Sequence, residues 1–185
     1  LGGTSAFNLE AHDGLENLVP KSEAFDQWSN VNCTTTSASD PFGGNAAFTL
    51  SGSGSGDFPN ADRREIAGIH VTANVVYYAS VYVKLPSSNP SSLFRIQLND
   101  NAASYVVRGR LEVQINSGAF ETASSENINT INYESVGSGW YRISFQFTPP
   151  ANSTNISFRL IPDSTTPASS NTGKDVTFFG AQLNT

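Results

Sequence analysis

The chain has 185 residues, of which 14% are charged, and its formal net charge is −6 at pH 7. This length suits one domain with a two-layer core. The few charges leave no basic surface for a nucleic-acid backbone or an anionic membrane, so we expect neither as a partner. Neutral or weakly charged partners fit this composition better.

The N-terminal residues 1–20 show little hydrophobic periodicity. We interpret them as an N-terminal arm or as the junction with an upstream domain, and we interpret residues 21–185 as one folded module. Trp28 follows the opening segment of this module and is expected in its core. Cys33 is the only cysteine, so an internal disulfide is impossible, and we expect a buried thiol.

The rest of the chain alternates apolar and polar residues in short segments that are bounded by Gly, Pro, Ser and Asn, which is typical of an antiparallel β-sandwich. The predicted strands, in chain order, are Ala46 to Leu50, Glu65 to Thr72, Val75 to Leu85, Ser92 to Leu98, Tyr105 to Val107, Arg110 to Ile115, Phe120 to Ala123, Asn129 to Val136, Trp140 to Thr148, Ile156 to Ile161 and Val176 to Leu183.

Alternation separates the core side of each strand from its outward side. The segment that starts at Gly139 is the clearest case, because every second residue in it is large and apolar. The inward sets of this and the preceding strands predict a core that contains Tyr141, Ile143, Phe145, Phe147, Val81, Val83, Leu111 and Val113.

The outward sets are rich in planar hydrogen-bonding groups. A sugar offers many hydroxyls and an apolar ring face, so a sugar site needs bidentate donors and acceptors beside an aromatic side chain. Together the outward sets are expected to form one face, and that face supplies both. The alternative is a solvated sheet face on which such residues serve solubility and cross-strand pairing. The predicted glycan contacts, with Tyr82 as the aromatic platform, are Tyr82, Arg95, Gln97, Arg110, Glu112, Gln114 and Arg142.

Four short motifs carry a resemblance over about residues 17–183: Ser22-Glu-Ala-Phe-Asp-Gln-Trp28, Ser80-Val-Tyr-Val-Lys84, Gly139-Trp-Tyr-Arg-Ile143 and Gly180-Ala-Gln-Leu183. They resemble the β-sandwich modules of phage tail and virion structural proteins, which are similar in shape to jelly-roll carbohydrate-binding modules. The resemblance implies an all-β antiparallel jelly roll that lies outside the cell or on a virion.

The function that this resemblance implies is recognition of a polysaccharide or oligosaccharide without catalysis. Such a module belongs to a phage structural protein, such as a tail fibre, or is attached to a polysaccharide-active enzyme. Its other partners are then virion subunits or an enzyme domain. The alternative is a structural or oligomerisation module of a virion fibre, in which the same outward face docks onto another subunit.

No cofactor is required by this interpretation. Jelly-roll carbohydrate-binding modules often hold a structural calcium where the opening segment meets the last strand, and the matching acids in this sequence are Glu23 and Asp26. The last strand departs from that pattern, because Gly180-Ala-Gln182 stands where an aspartate is common. Backbone or amide oxygens would have to complete the site, which calcium accepts.

A second alternative is a jelly-roll polysaccharide lyase. The residue types that such lyases use occur as Arg63-Arg64, His70 and Gln97 with Tyr82 or Tyr105. The Lys-Gly-Tyr strand signature of those enzymes is missing, and His70 is expected to face solvent. No nucleophile, metal cluster or carboxylate pair stands out in the sequence, so we expect no catalysis.

Overall fold

The computed structural model describes residues 16–52, 62–88, 90–101, 106–117, 119–163 and 174–185. One 3₁₀ turn, Phe25–Gln27, precedes the first strand. The strands of this part of the chain are β1 (Ser29–Val31), β2 (Cys33–Ala38), β3 (Ala47–Gly52), β4 (Arg63–His70), β5 (Tyr77–Lys84), β6 (Leu93–Asp100), β7 (Val107–Asn116), β8 (Ala119–Glu126), β9 (Ile128–Gly137), β10 (Trp140–Phe147), β11 (Asn155–Ile161) and β12 (Asp175–Asn184).

The strands form two six-stranded sheets. Sheet A has the order β1-β4-β11-β6-β7-β8, and sheet B has the order β2-β3-β12-β5-β10-β9. All strand pairs in both sheets are antiparallel. From β3 to β6 the chain changes sheet at every step, and β11 and β12 return to lie between the early strands. This interleaving is the jelly-roll arrangement and confirms the predicted fold class.

The core between the sheets contains the predicted inward residues. Seven of the eight are buried, and Tyr141 is half-buried and packs against the same cluster. Trp28 is also buried, as predicted, and its ring makes an edge contact with Phe25 at a centroid distance of 4.7 Å. No helix within the described ranges is long and apolar enough to cross a membrane.

The opening segment is attached to the last strand. The Leu18 amide donates to the Leu183 carbonyl at 2.8 Å, and the Asn17 side chain bonds the backbone of both Ala181 and Leu183. Val19 is buried in the core. The sandwich therefore includes residues 17–19, which the sequence interpretation had assigned to the N-terminal arm. The first fifteen residues of that arm lie outside the described residues.

Three strand predictions need correction. The edge strands β1 and β2 were not predicted, because their mostly polar residues show no apolar alternation. The two segments predicted on either side of residue 108 are one strand, β7, and Tyr105 lies outside the described residues. A β-bulge at this point explains the apparent break, since it shifts the alternation by one residue.

Replacing Phe145 with alanine tests the assignment of the core. Phe145 is 3% exposed, so Phe145→Ala should lower the free energy of unfolding by about 3 to 5 kcal/mol. Tyr78→Ala, on the neighbouring strand, is the control, because Tyr78 is 50% exposed and should cost about 1 kcal/mol or less. Denaturant titration of both variants measures this difference. Equal losses of unfolding free energy would mean that Phe145 does not face the core.

The thiol of Cys33 gives a pH-dependent test of burial. Burial raises the pKa of Cys33 to about 12. Above about pH 9 the unfolded chain loses this proton while the folded chain keeps it, so stability falls by about 1.4 kcal/mol per pH unit. Cys33→Ala lacks this component. The difference in unfolding free energy between wild type and variant should therefore shrink as the pH rises from about 7 to 10.5, and a constant difference would contradict the burial of the thiol.

Candidate functional site

The outer face of sheet A carries a row of polar residues that crosses all of its strands. In this row each residue lies opposite the next in the strand register. The row consists, from β1 to β8, of Ser29, Glu65, Arg159, Gln97, Arg110 and Glu126. A second row beside it contains Arg95, Glu112 and Ser124. These residues point away from the core because Phe94, Ile96 and Leu98, which alternate with them on β6, are fully buried in it.

Ion pairs and hydrogen bonds connect neighbouring side chains within each row. Glu65 accepts from Arg159 at 2.8 Å and from Arg63 at 3.0 Å. Glu112 accepts from Arg95 and from the Ser124 hydroxyl. At the β8 edge, Arg110 and Glu126 approach to 3.3 Å.

The charges of this face balance. Four arginines at positions 63, 95, 110 and 159 stand against four glutamates at positions 65, 112, 121 and 126. A balanced face attracts neither a polyanion nor a polycation over distance. The arrangement therefore suits a neutral ligand that is recognised through hydrogen bonds.

The centre of this face is closed to solvent although it lies outside the core. Gln97 is 1% exposed and Asn99 is fully buried. The Gln97 amide donates to the Asn99 side-chain oxygen. The remaining atoms of the pair, Gln97 Oε1 and Asn99 Nδ2, have no hydrogen-bond partner. A buried acceptor and a buried donor without partners are costly, so this pair marks a place where a hydroxyl or a water is needed.

The predicted site residues do not form one face. Five of them lie on the outer face of sheet A: Arg95, Gln97, Arg110, Glu112 and Gln114. The other two, Tyr82 and Arg142, lie opposite each other on β5 and β10 of sheet B. Because the outer faces of a sandwich point in opposite directions, Tyr82 cannot serve as the aromatic platform for the sheet A residues. The prediction of a single seven-residue site is therefore wrong in this respect.

Tyr82 belongs instead to a small aromatic cluster on sheet B. It packs with Phe179 and Trp140 and is 8% exposed. The ring of Phe42 covers it at a centroid distance of 5.4 Å and also contacts Phe179. Burial raises the pKa of Tyr82. A buried ring has no open surface on which a sugar can stack.

Phe42 was missed by the sequence interpretation. It is 49% exposed and sits on the loop between β2 and β3. Asp40 holds this loop, because its carboxylate accepts from the backbone amides of Phe42, Gly44 and Ala46. The available signal was the segment Asp40-Pro-Phe-Gly-Gly44, a typical turn sequence that presents an aromatic residue at its tip.

The predicted calcium ligands are not gathered into a metal cluster. Within the described part of the chain there is no group of three or more acidic, histidine or cysteine side chains that could hold a metal ion. Glu23 and Asp26 are both exposed. Burial and then the charge of Asp40 raise the pKa of Glu23. Where the opening segment meets the last strand, the Asn17 side chain bonds the backbone of that strand. A calcium ion at Glu23 and Asp26 stays a prediction.

Tyr105 of the lyase alternative lies outside the described residues, and its other residues are distributed over both sheets. Gln97 lies on sheet A and Tyr82 on sheet B. His70 is exposed at the end of β4, as predicted. Arg64 donates to the Trp28 carbonyl and to Thr35 and is buried. These four side chains therefore cannot act together on one sugar.

Comparisons with known proteins identify no family by sequence. No protein-family model matches the chain, and no curated protein matches it. Solved structures do match in shape. MgGH51 α-L-arabinofuranosidase matches with a TM-score of 0.54 and 19% identity over 96% of this chain and 28% of the enzyme.

A phage structure and a carbohydrate-binding module are also similar. Tailspike protein 4 of bacteriophage CBA120, in its enzymatically active domain, matches with a TM-score of 0.52 and 13% identity over 91% of this chain and 21% of the tailspike chain. The CBM22-1 xylan-binding domain of Paenibacillus barcinonensis Xyn10C matches with a TM-score of 0.47 and 13% identity, over 85% of this chain and 84% of that domain. The chain thus spans under a third of the arabinofuranosidase and of the tailspike, and its likeness to them is one of fold.

Glu65 provides a test of the polar network. Burial alone raises the pKa of Glu65, but the hydrogen bonds from Arg159 and Arg63 and the charge of Arg159 outweigh it, so the pKa lies below its ordinary value. Its contribution to stability is therefore present above the unfolded pKa and is lost as the pH falls through the folded pKa. Glu65→Gln should cost about 1 to 3 kcal/mol at pH 7 and less below about pH 4.

The control for this variant is Glu126→Gln. Glu126 ends the same row, but its side chain is 45% exposed, so its removal should have little effect at any pH. Chemical unfolding of the three proteins between about pH 3 and 7 makes the measurement. A pH-independent cost of Glu65→Gln would show that the ionised network does not stabilise this face.

Proposed function

We propose that the protein is a non-catalytic carbohydrate-binding module that binds a neutral polysaccharide or oligosaccharide on the outer face of sheet A. The observation that carries the proposal is the outward series Arg110, Glu112 and Gln114 of β7, whose planar hydrogen-bonding side chains are partly exposed beside the closed Gln97–Asn99 centre. A sugar hydroxyl is both a donor and an acceptor, so it matches a series that offers guanidinium donors, a carboxylate acceptor and a side-chain amide.

The ligand contacts lie along β7. Arg110, Glu112 and Gln114 are half-buried and all point outward from this strand, next to the closed Gln97–Asn99 centre. Arg110 is held by Glu126, and Glu112 is held by Arg95, so both side chains are oriented before a ligand arrives. Because they are already oriented, these side chains lose less conformational entropy when a ligand binds.

Binding is expected to be weak. The outward residues of the two rows include no aromatic side chain, so the glycan gains hydrogen bonds without ring stacking. An open sheet face also buries little ligand surface, and each sugar hydroxyl leaves a bond to water. Dissociation constants of about micromolar to millimolar follow from these two facts.

The proposal extends to the setting of the module. We place it outside the cell or on a virion, attached to a polysaccharide-active enzyme or to a phage structural protein such as a tail fibre. Its fold is shared with parts of an arabinofuranosidase and of a phage tailspike, which supports a module within a larger protein. The protein partners are then an enzyme domain or other virion subunits. A structural calcium at Glu23 and Asp26 belongs to the same proposal and is not required for ligand binding.

A structural connector is the competing function. The same face is already ion-paired and closed at its centre, as expected of a surface that docks onto another subunit. The lyase alternative has a separate readout, since unsaturated uronate products absorb in the near ultraviolet. Steady formation of such products from a uronate polymer would overturn the non-catalytic proposal.

A pair of arginine variants tests the proposed face. Arg110→Ala should weaken glycan binding by about 1 to 3 kcal/mol, because the ligand loses a charge-assisted hydrogen bond. Arg142→Ala is the matched control on sheet B and should leave binding unchanged. A glycan array selects the ligand, and calorimetry then measures its affinity for the wild type and for both variants.

Two results would contradict the proposal. Equal binding by the wild type and Arg110→Ala would remove the sheet A face from recognition. If no glycan binds and the sheet A face is covered in a homo-oligomer, the module is a connector. Solvent accessibility of this face by hydrogen exchange, measured at several protein concentrations, detects that oligomer.

A further inference from the structure

A β-bulge in β7 prevents Arg108 from facing outward with Arg110, Glu112 and Gln114 of the same strand. Leu98 of β6 lies opposite Gly109, but the next residue, Asn99, lies opposite Val107, so Arg108 is the extra residue. Bulges of this kind redirect a side chain. The Arg108 side chain donates from Nε and Nη2 to Asp100 Oδ2, at 3.1 and 2.9 Å. Asp100 lies two residues after Leu98, on the side of β6 that faces the core, and is itself buried.

A cavity of about 260 Å³ lies beside Arg108 at this end of the sandwich. Its walls come from both sheets. Arg108 is supplied by β7 of sheet A, Asn127 and Asn129 come from the start of β9 and the turn before it, and Thr148 and Pro150 follow β10 of sheet B. We call this cavity the end pocket. It is separate from the outward row of sheet A because Arg108 has turned away from that row.

The wall formed by sheet B has an unusual backbone. Asn127 and Thr130 have positive φ angles of 53° and 50°. A positive φ is tolerated by asparagine but is uncommon for a β-branched residue such as threonine. The register between β9 and β10 also shifts between Ser144 and Gln146, next to Asn129. Strained residues and bulges concentrate at ligand sites, and here both occur beside one cavity.

The chemistry of the end pocket is polar and nearly neutral. Arginine has five N–H donors, and Arg108 uses two of them on Asp100, which also offsets its charge. The two asparagines offer amide donors and acceptors, and Thr148 offers a hydroxyl. Pro150 adds the one apolar ring among the described lining residues. None of these lining residues carries a carboxylate, so a cation is not favoured.

We propose that the end pocket binds a single neutral sugar ring, either a free monosaccharide or the terminal residue of a glycan. The mixture of amide, guanidinium and hydroxyl groups matches a ring with several hydroxyls, and Pro150 contacts its C–H face. The volume is just below the usual range for ligand pockets, which suits one ring, and because the cavity is open to solvent the rest of a glycan can extend outward from it. This site is independent of the outer face of sheet A, and its test does not require that face to bind.

The test uses monosaccharides and nuclear magnetic resonance. D-glucose, D-galactose, D-xylose and L-arabinose are titrated separately into the ¹⁵N-labelled full chain, up to about 50 mM to cover a weak site. At least one should shift the side-chain amide signals of Asn127 and Asn129 in a saturable manner. D-glucuronate is the charged match to D-glucose and should bind no more tightly than the neutral sugars, because Asp100 already offsets the charge of Arg108.

Two variants remove ligand contacts without disturbing a buried ion pair. Asn127→Gly keeps the positive φ accessible and deletes the amide. Asn129→Ala deletes an exposed side chain. Each should weaken binding by about 10-fold or more, the equivalent of about 1.4 kcal/mol. Arg142→Ala is the control, since Arg142 lies on the outer face of sheet B and belongs to neither proposed site. Arg108→Ala is not used, because it would break the ion pair of the buried Asp100 carboxylate with Arg108.

Three results would overturn the proposal. The first is that none of the neutral sugars shifts the two asparagine amides. The second is that the shifts map to the outer face of sheet A and are lost in Arg110→Ala. The third is that only D-glucuronate binds, which would assign the pocket to an anion. Because the readout is local to the end pocket, failure of glycan binding on sheet A does not alter any of these outcomes.

Discussion

Both sheets depend on the insertion of strands from the end of the chain. β12 lies between β3 and β5, and β11 lies between β4 and β6, so neither sheet has a continuous centre until residues 155–184 are in place. The Asn17 side chain and the Leu18 amide then attach the opening segment to β12. Such pairings join residues that are far apart in sequence, and their loop-closure entropy must be overcome before they contribute stability. Strands β11 and β12 thus support the outward rows of both sheets, because their partners on either side pair with them directly.

The same interleaving explains why the strands were predictable from sequence while the site was not. Alternation within β10 identifies Ile143 and Phe147 as inward and Arg142 as outward, because it reports on two faces of one strand. It does not report which sheet the strand joins. Since the chain changes sheet between β5 and β6, the outward residues Tyr82 and Arg95 point in opposite directions. The edge strand β2 was missed for a different reason: four of its six residues are threonine or serine, so it lacks the apolar signal. Strand pairing and sheet order arise from contacts that are distant in sequence, and no local pattern encodes them.

The polar network on sheet A costs desolvation free energy, and this cost helps to decide between its possible roles. Buried ion pairs such as Arg159–Glu65 lose hydration, and apolar residues of similar size are often equally stabilising. Stability alone therefore does not account for a row of arginine, glutamine and glutamate on a sheet face. Such a row can instead recognise a ligand or dock onto another subunit. The partly exposed Arg110, Glu112 and Gln114 are consistent with recognition, because their polar groups remain accessible to a ligand beside the closed Gln97–Asn99 centre.

The two proposed sites divide the surface according to the length of glycan that each accepts. The outer face of sheet A is open along β7, so an internal stretch of a chain can lie across Arg110 and Gln114. The end pocket is bounded by both sheets and has room for one ring. A single residue separates the two environments. Without the bulge, Arg108 would continue the outward series of Arg110, Glu112 and Gln114, and its ion pair with Asp100 would be lost. The bulge thus removes one arginine from the outward row and forms the polar wall of the pocket with that same side chain, so both features follow from one inserted residue in β7.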